Sequence, residues 1–471
     1  MHAWPRFGIW RPCQHQLHRH LQRHRFPVIP LEGRSQLLFR SYSLTQGPSP
    51  PDPPSPPLPV EDPLSDPSEK QRETRDGRQK GGLFTTPPPP RIHIVGLAKI
   101  GCLVAHALRS IHPKRPVTLI THRASIAQKF RAQGGLITVE RRGLTLSRTG
   151  FDVEISHMAL ENLLPYAARP QAPSEGEAID HLIVTTQGPY VKQAVGSLVK
   201  RLSPGATIAF IHNGMGVVEE INSLYFPNPQ GRPNYIVGVI THGVSTPTEP
   251  VFEPFYVLLN RVGSLKLGIA LPTEEASPDY TTAPALKSLP PTTSYLLNSL
   301  LSAEDLIATY LSPQEIIALQ AERLAINAII NPLTVVFDCL NGALLHNLNA
   351  TKVIKLLLWE TSQVIRALPG LQQFPTKDFR FSEESLYNLV VKVARRTQES
   401  TSTMLNDLRR GIPTEIDYMN GWVVQKGVEF GTPCTMNFMV QNMVKAKERM
   451  ARMERERGLP FENLEQNFQQ L

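Results

Sequence analysis

Cysteine is scarce in this chain of 471 residues, and no two of its four cysteines form a C-x-x-C pair. Structural zinc sites and disulfide frameworks need closely spaced thiols, so neither is indicated and we predict no metal site. We expect buried, reduced thiols instead. The four residues are Cys13, Cys102, Cys339 and Cys434.

Long apolar runs are also missing, because no stretch approaches the roughly 18 residues that a bilayer-crossing helix needs. Hydrophobic residues nevertheless make up 41% of the chain, enough to build sizeable cores. Single cores usually stop growing near about 250 to 300 residues, so the length indicates two domains. We therefore expect a globular protein without a membrane span.

Acidic residues are rare at the start of the chain. Residues 1–43 contain seven arginines, five histidines, no lysine and a single acid, Glu32. This composition is typical of a mitochondrial transit peptide, and it predicts a matrix protein. The alternative is a basic arm that binds nucleic acid. However, the leader carries +6 of the formal net charge of +8, so the remaining chain is nearly neutral and a nucleic-acid surface is disfavoured.

Proline marks the segment that follows. Residues 48–90 hold 14 of the 43 prolines and few large apolar residues, which predicts a disordered linker over residues 44–90. Two later stretches, 169–178 and 272–291, are rich in Pro, Ser, Thr and Glu without periodicity. We predict loop insertions there, and a short tail over residues 461–471.

Strand-like and helix-like patterns alternate after the linker. An apolar run at 92–95 is followed by a glycine turn and a helical pattern, and further strand-like runs lie at 117–120, 182–184 and 208–211. Such alternation requires crossovers, which build a mostly parallel, doubly wound sheet. We predict a Rossmann-type α/β domain over residues 91–311, an all-α domain over 312–460, and an active-site cleft between them.

The glycine turn at residues 96–101 suits a dinucleotide. Its sequence, G-L-A-K-I-G, departs from G-x-G-x-x-G at Ala98, where the usual glycine lets a pyrophosphate approach the backbone. The second strand ends in His122 and Arg123 instead of an acid, and a cation there favours the 2′-phosphate of NADPH. Taken alone, the glycines could serve only a tight turn, and Arg123 could be an ordinary surface residue.

Three longer stretches carry a more specific signal. They are I-H-N-G-M-G at 211–216, N-A-I-I-N-P-L-T at 327–334 and T-E-I-D-Y-M-N-G at 414–421. Together they resemble the ketopantoate reductase (ApbA/PanE) family, in colinear order from residue 91 to roughly 455. With the leader, the resemblance is to a mitochondrial, fungal-type member. It implies reduction of the ketone of 2-dehydropantoate by NADPH, giving pantoate on the route to pantothenate and coenzyme A.

The resemblance also implies roles for individual residues. Arg323 occupies the catalytic position, and with Asn327 and Asn331 it steps by four along one predicted helix, so the three share a face. The implied substrate-binding residues are Asn327, Asn331, Asn341, Ser402, Thr403 and Asn406. The implied cofactor-binding residues are Gly96, Leu97, Ala98, Lys99, Ile100, Gly101, Arg123, Gln187, Asn213, Gly243 and Glu415. Without the resemblance, Asn331 before Pro332 could merely cap or break a helix, and Asn420-Gly421 could be a turn pair.

Two positions depart from the family pattern. Arg323 stands where the family has a lysine that protonates the nascent alkoxide, and a guanidinium with a pKa above about 12 is a poor acid. Gln187 stands where members usually present a lysine. Two hypotheses therefore stay open: a working or slow NADPH-dependent keto acid reductase, or a non-catalytic protein that uses the fold to bind a cofactor, another protein or RNA. Homodimers occur in such folds, and the sequence does not establish one here.

Overall fold

A computed structural model of the protein describes residues 89–156, 177–247, 255–270 and 281–457. The predicted leader, all but the last two residues of the predicted linker, and the predicted tail lie outside these residues. So do residues 169–176 of the first predicted insertion and residues 272–280 of the second. The described end of the second insertion is ordered, because a short 3-10 helix covers Leu286–Ser288 and a longer helix begins at Pro291.

The first part of the described chain alternates strands with helices. The strands are β1 (Ile92–Val95), β2 (Val117–Thr121), β3 (Ile137–Arg141), β4 (Leu144–Arg148), β5 (Phe151–Ile155), β6 (Ile179–Val184), β7 (Leu202–Ile211), β8 (Asn234–Ile240), β9 (Gly243–Ser245), β10 (Tyr256–Arg261), β11 (Leu265–Ile269) and β12 (Ala308–Tyr310). The helices among them are α1 (Lys99–Leu108), α2 (Ala124–Ala132), α3 (Gly188–Gly196), α4 (Val217–Tyr225) and α5 (Pro291–Leu301).

Eight of these strands form the main sheet, in the order β5-β2-β1-β6-β7-β8-β11-β12. The six strands from β5 to β8 are parallel, and β11 pairs antiparallel with β8. In β1, Ile94 lies opposite Leu119 of β2 on one side and Ile183 of β6 on the other, and all three are fully buried. Strands covered on both faces are mostly apolar, which explains why these strands could be predicted from the sequence. The predicted doubly wound sheet is confirmed.

A second sheet of four strands, in the order β4-β3-β10-β9, was not predicted. It depends on parallel pairing of β3 with β10, in which Val139 lies opposite Val257 although the two are far apart in sequence. Both valines pack into the same core as Leu103 of α1. Strand β4 is largely exposed, so it lacks the buried pattern that would have marked it.

The second part of the described chain is helical, as predicted. Its helices are α6 (Pro313–Phe337), α7 (Leu348–Ala367), α8 (Lys377–Arg380), α9 (Glu383–Arg396), α10 (Thr403–Arg410), α11 (Asn420–Glu429) and α12 (Thr435–Arg457). Helix α6 is central, because α7, α9, α10 and α12 all pack against it. None of the described helices is both long and apolar enough to span a membrane.

Helix α6 begins with a capping box and continues through a proline. The Ser312 side chain accepts from the Glu315 backbone N–H at 3.2 Å, and the Glu315 carboxylate accepts from the Ser312 backbone N–H at 3.2 Å. Pro332 lies inside the helix, so the carbonyl of Ala328 receives no backbone hydrogen bond from it. The buried side chain of Asn420 donates to that carbonyl instead, at 2.9 Å. Asn420 is therefore a packing residue at the start of α11, and the turn-pair alternative for it is wrong.

The three cysteines within the described chain are free thiols. Cys102 and Cys434 are buried, as expected. Cys339 is half-buried just after the end of α6, so the expectation of full burial is wrong for this residue.

Candidate active site

The glycine turn lies between the end of β1 and the start of α1. Gly96 has a φ of +102°, and a Cβ atom there would lie 2.6 Å from the backbone nitrogen of Thr186. A Cβ atom on Gly101 would lie 2.1 Å from the Gly96 carbonyl oxygen. Both positions therefore require glycine for protein packing alone. Between them, Leu97 and Ile100 are half-buried, and Ala98 and Lys99 are exposed.

The N-terminus of α1 remains open to a ligand. Ala98 is its N-cap residue, and no side chain caps the helix there. The first N–H groups of a helix are unpaired within it and carry a partial positive charge, which suits a phosphate. The exposed Lys99 adds a full charge in the first turn.

Arg123 lies at the end of β2 as the N-cap residue of α2. Its Nε donates to His122 Nε2 at 3.0 Å, and both side chains are exposed. Burial, with a smaller contribution from the Arg123 charge, lowers the pKa of His122, so the imidazole stays neutral and can accept this bond. Arg123 forms no ion pair with any acid in the described ranges. Its guanidinium is therefore available to an anionic ligand.

The start of α3 contacts the helical domain through two predicted cofactor residues. Gln187 Nε2 donates to Asp407 Oδ2 at 2.8 Å, and the Gly188 N–H donates to Glu415 Oε1 at 3.0 Å. Burial raises the pKa of Glu415 to about 7 and also raises the pKa of Asp407. Gln187 and Glu415 thus each have a protein partner, and together they join the two domains. Asp407 was missed from sequence because nothing local distinguishes it from other helix acids.

The loop at residues 212–216 packs against residues 414–421. Two of the three stretches that carry the family resemblance are therefore in contact. The Met215 N–H donates to the Tyr418 carbonyl at 3.1 Å, and the Tyr418 hydroxyl donates to Glu220 Oε2 at 2.7 Å. Gly216 has a φ of +91°, and a Cβ there would lie 2.6 Å from Trp422 Cδ1. The glycines of this loop therefore permit close packing of the two domains.

Arg323, Asn327 and Asn331 lie on one face of α6, as their spacing predicted. Arg323 Nε lies 3.4 Å from Asn213 Oδ1, which is a long hydrogen bond. Burial first, and then the like charges of Arg261 and Arg396, lower the pKa of Arg323. The helix does not break at Asn331, so the helix-breaking alternative for this residue is wrong.

Two of the predicted substrate asparagines keep unused hydrogen-bonding capacity. Asn327 is buried, and its Nδ2 has no partner in the described part of the chain. Asn341 donates to Thr397 Oγ1 at 3.0 Å, while its buried Oδ1 accepts from no donor in the described part of the chain. Asn331 has only a long contact from Nδ2 to Met419 Sδ, at 3.7 Å. Buried polar groups are normally satisfied, so such orphaned atoms indicate a ligand or an ordered water.

In the 402–406 segment, some side chains bond other protein groups, whereas the Thr403 hydroxyl is available to a ligand. Ser402 caps α10 by accepting from the Leu405 N–H at 3.0 Å, and its Oγ is 2.6 Å from that of Thr334. Asn406 accepts from the Thr401 hydroxyl at 2.9 Å. Thr403 is exposed at the first position of α10, and no described group bonds its hydroxyl. The signal for Ser402 as an N-cap was present in the sequence, because serine before a helical pattern is a common start.

Gly243 begins β9 and lies opposite Arg261 of β10. A Cβ on Gly243 would lie 3.1 Å from the Arg261 Cβ, so the glycine permits close packing of β9 against β10 in the second sheet. Arg261 Nη2 donates to the Thr241 carbonyl at 3.3 Å. Neither Arg261 nor Arg396 was identified from sequence.

A cavity of about 650 Å³ borders the 212–216 loop. Its wall includes Met215 of the loop, Gln314 and Ile317 of α6, and Trp422 of α11. Its wall contains none of the glycine-turn residues and none of the four predicted substrate asparagines, so it is separate from the predicted cofactor and substrate residues. No cluster of three or more potential metal ligands occurs within the described ranges.

The Rossmann-type sheet, the open helix N-terminus at its switch point and the adjoining polar face of α6 define a two-domain dinucleotide-binding architecture. Sequence models described as "Ketopantoate reductase PanE/ApbA" and "Ketopantoate reductase PanE/ApbA C terminal" match residues 92–270 and 315–448. The chain belongs to the ketopantoate reductase family.

Individual relatives agree with this assignment. A "Probable 2-dehydropantoate 2-reductase" of Schizosaccharomyces pombe is 25% identical over 76% of this chain and 96% of its own length. A "2-dehydropantoate 2-reductase" of Salmonella typhi is 30% identical over 57% of this chain and 74% of its own length. A crystal structure of a probable 2-dehydropantoate 2-reductase from Bacillus subtilis has a TM-score of 0.53 at 22% identity, covering 76% of this chain and 100% of that one.

Proposed function

We propose that this protein reduces 2-dehydropantoate to pantoate with NADPH, in the biosynthesis of pantothenate and coenzyme A. The observation that carries the proposal is the polar face of α6. There, Arg323 lies one turn from Asn327, whose buried amide nitrogen has no described partner. A half-buried cation and an unused donor on one rigid helix suit a substrate with a ketone and a carboxylate. The relatives' activity supports the same reaction.

The residues present fit a nicotinamide dinucleotide. The uncapped N-terminus of α1 suits a pyrophosphate, and the exposed, unpaired Arg123 suits the 2′-phosphate that distinguishes NADPH from NADH. Leu97, Ala98, Lys99 and Ile100 line the turn that would hold it. When bound, the cofactor supplies a hydride for the ketone carbon.

Arg323 acts as the electrophile in this proposal. Its guanidinium donates hydrogen bonds to the substrate carbonyl and stabilises the negative charge that develops on that oxygen, while Asn213 orients it from the other domain. Its pKa is lowered by burial, but a guanidinium still holds its proton near neutral pH. Water therefore supplies the proton to the alkoxide. Losing a matched general acid costs on the order of 10²- to 10⁴-fold in rate, so we expect a slow enzyme.

Asn327, Asn341 and Thr403 bind the substrate. Each offers a group that lacks a described partner: the Asn327 amide, the Asn341 carbonyl oxygen and the Thr403 hydroxyl. Gln187, Glu415 and Ser402 also hold the domains and α10 in position, because their polar atoms bond protein groups, and their predicted contacts with cofactor and substrate stay predictions.

The test is NADPH oxidation by the full chain with 2-dehydropantoate, comparing wild type with Arg323→Lys and measuring NADPH binding in parallel. Turnover by wild type supports a reductase in which arginine is the electrophile. If activity appears only in Arg323→Lys and both proteins bind NADPH, the result supports the alternative of an enzyme that has lost its activity. The arginine at position 323 is the observation that favours this alternative. No turnover and no NADPH binding in either protein would contradict the reductase and favour a binding role.

We also propose that the protein is a fungal-type member imported into the mitochondrial matrix. The arginine-rich, acid-poor composition of its leader supports this proposal. Mitochondrial localisation of a chain lacking residues 1–43 would contradict it.

A homodimer is a further part of the proposal, supported by exposed apolar side chains on the adjacent helices α7 and α12, among them Trp359, Phe438 and Met443. Sedimentation of the purified chain as a monomer at assay concentration would contradict the dimer.

A further inference from the structure

Three arginines from three different elements lie beside or next to residues of the predicted site. Arg323 lies on α6, with its Nε 3.4 Å from Asn213 Oδ1. Arg261 ends β10, opposite Gly243. Arg396 ends α9, directly before Thr397, whose hydroxyl accepts from Asn341 at 3.0 Å. Arg261 and Arg323 therefore each neighbour a residue for which the family resemblance implies contact with the cofactor, and Arg396 directly precedes the partner of a predicted substrate residue.

This cluster of arginines, Arg261, Arg323 and Arg396, has no counter-ion among the described residues. None of the three forms an ion pair with a described acid. After burial, the groups that affect the pKa of Arg323 are the other two arginines, which lower it, whereas a nearby carboxylate would raise it. Elsewhere in the helical domain, Arg380 pairs with Glu322 at 2.6 Å.

An assembly of like charges without a counter-ion is unfavourable unless a ligand supplies negative charge. The pyrophosphate and 2′-phosphate of the proposed cofactor belong at the α1 turn and at Arg123, on other elements. The remaining anion in the proposed reaction is the carboxylate of the 2-oxo acid. Guanidinium groups bind carboxylates with paired, directional hydrogen bonds, so two exposed arginines without an ion pair suit this group well.

We propose that Arg261 and Arg396 bind the substrate carboxylate and make the protein specific for free 2-oxo acids over their neutral esters and lactones. This inference rests on the proposed function, and it divides the cluster into two roles. The exposed Arg261 and Arg396 bind the carboxylate, while the half-buried Arg323 faces the carbonyl oxygen. Asn327 and Asn341 complete the site.

Arg395 provides a matched control. It precedes Arg396 in the last turn of α9, is equally exposed, and does not contribute to the lowered pKa of Arg323. Replacing either arginine removes one positive charge from the same helix C-terminus, so both variants lose the same small stabilisation of the helix dipole. A difference between the two variants then shows that the position of the Arg396 side chain matters, and not merely the loss of a charge at the helix end.

The experiment measures NADPH-dependent reduction of 2-dehydropantoate and of its neutral lactone by full-length wild type, Arg261→Gln, Arg396→Gln, the double variant and Arg395→Gln. We expect each single change at Arg261 or Arg396 to raise KM for the acid about tenfold, and the double change to raise it further, with kcat within a few-fold. KM for the lactone and for NADPH should not change. Arg395→Gln should match wild type throughout.

An unchanged KM for the acid in the double variant would overturn the proposal, and so would equal losses for acid and lactone, because that pattern reports a structural defect. If wild type reduces no 2-oxo acid, the proposed function fails. The carboxylate site is then tested separately, by measuring the binding of radiolabelled pantoate to the NADP⁺-treated chain in equilibrium dialysis. Weaker pantoate binding in the double variant than in Arg395→Gln would uphold a carboxylate site. Equal binding, or none by wild type, would overturn it.

Discussion

Glu415 gives the protein a pH-dependent stability that a single substitution should remove. The residue is 4% exposed, and its carboxyl group accepts one hydrogen bond, from the Gly188 N–H at 3.0 Å. Burial is the main reason that its pKa rises from 4.5 to about 7, and the nearby Asp407 adds to the rise. The folded state therefore holds this proton over a pH range in which the unfolded chain has lost it.

The sign and size follow from proton linkage. Between about pH 4.5 and pH 7 the folded state binds more protons than the unfolded state, so stability falls as pH rises through this window. Each pH unit of difference between the two pKa values is worth about 1.4 kcal/mol, which gives a loss of about 3 kcal/mol that is complete above about pH 7. Glu415→Gln keeps an oxygen for the Gly188 N–H and cannot ionise, so it lacks this loss.

The assay is urea unfolding of wild type and Glu415→Gln at about pH 4.5 and about pH 8, with the exposed Glu399→Gln as control. The free energy of unfolding of Glu415→Gln should increase relative to wild type by about 3 kcal/mol between the two pH values, and that of Glu399→Gln should not. Parallel pH dependence of wild type and Glu415→Gln would refute the reasoning, because it would mean that Glu415 is ionised in the fold.

Three further substitutions test the cofactor, the electrophile and the packing of α6. Arg123→Ser should raise the Kd for NADPH roughly tenfold or more and leave the Kd for NADH unchanged, because a charge-assisted phosphate contact is worth about 1.5 to 3 kcal/mol. Fluorescence titrations that show equal effects on both cofactors would contradict this. Arg323→Met should lower kcat on the order of 10²-fold or more with NADPH binding retained, and an unchanged kcat would exclude Arg323 as the electrophile. Asn420→Ala leaves the Ala328 carbonyl without its donor and should cost about 1 to 3 kcal/mol, seen as a lower Tm, whereas the exposed Asn349→Ala should be neutral; equal Tm values would count against this account of Pro332.

The arginine at position 323 shows how far the site could be predicted from the sequence. The i, i+4 spacing of Arg323, Asn327 and Asn331 is a local property of a helix, so it was sufficient to predict one shared face. The environment of that face was not predictable. It depends on Asn213 from the other domain and on Arg261 and Arg396, which precede and follow it by more than fifty residues.

Gln187 shows the same limit for a departure from the family pattern. From sequence it is only a missing lysine, whereas in the fold its amide donates to Asp407, 220 residues further along the chain. Neither residue carries a local signal for this bond, because a polar side chain after a strand and an acid within a helix are both ordinary. The assigned roles of these site residues stay predictions until the variants above are measured.

The sequence by itself determined the alternation of strands and helices, the glycine turn and the apolar strands of the main sheet, because period, turn chemistry and burial on both faces act over a few neighbouring residues. Only the tertiary structure decided the second sheet, the contact of Glu415 with Gly188, and the donation of Asn420 to the carbonyl that Pro332 leaves free. These features join residues about 90 to 230 positions apart, and such pairings are fixed by packing and by the need to satisfy buried polar groups.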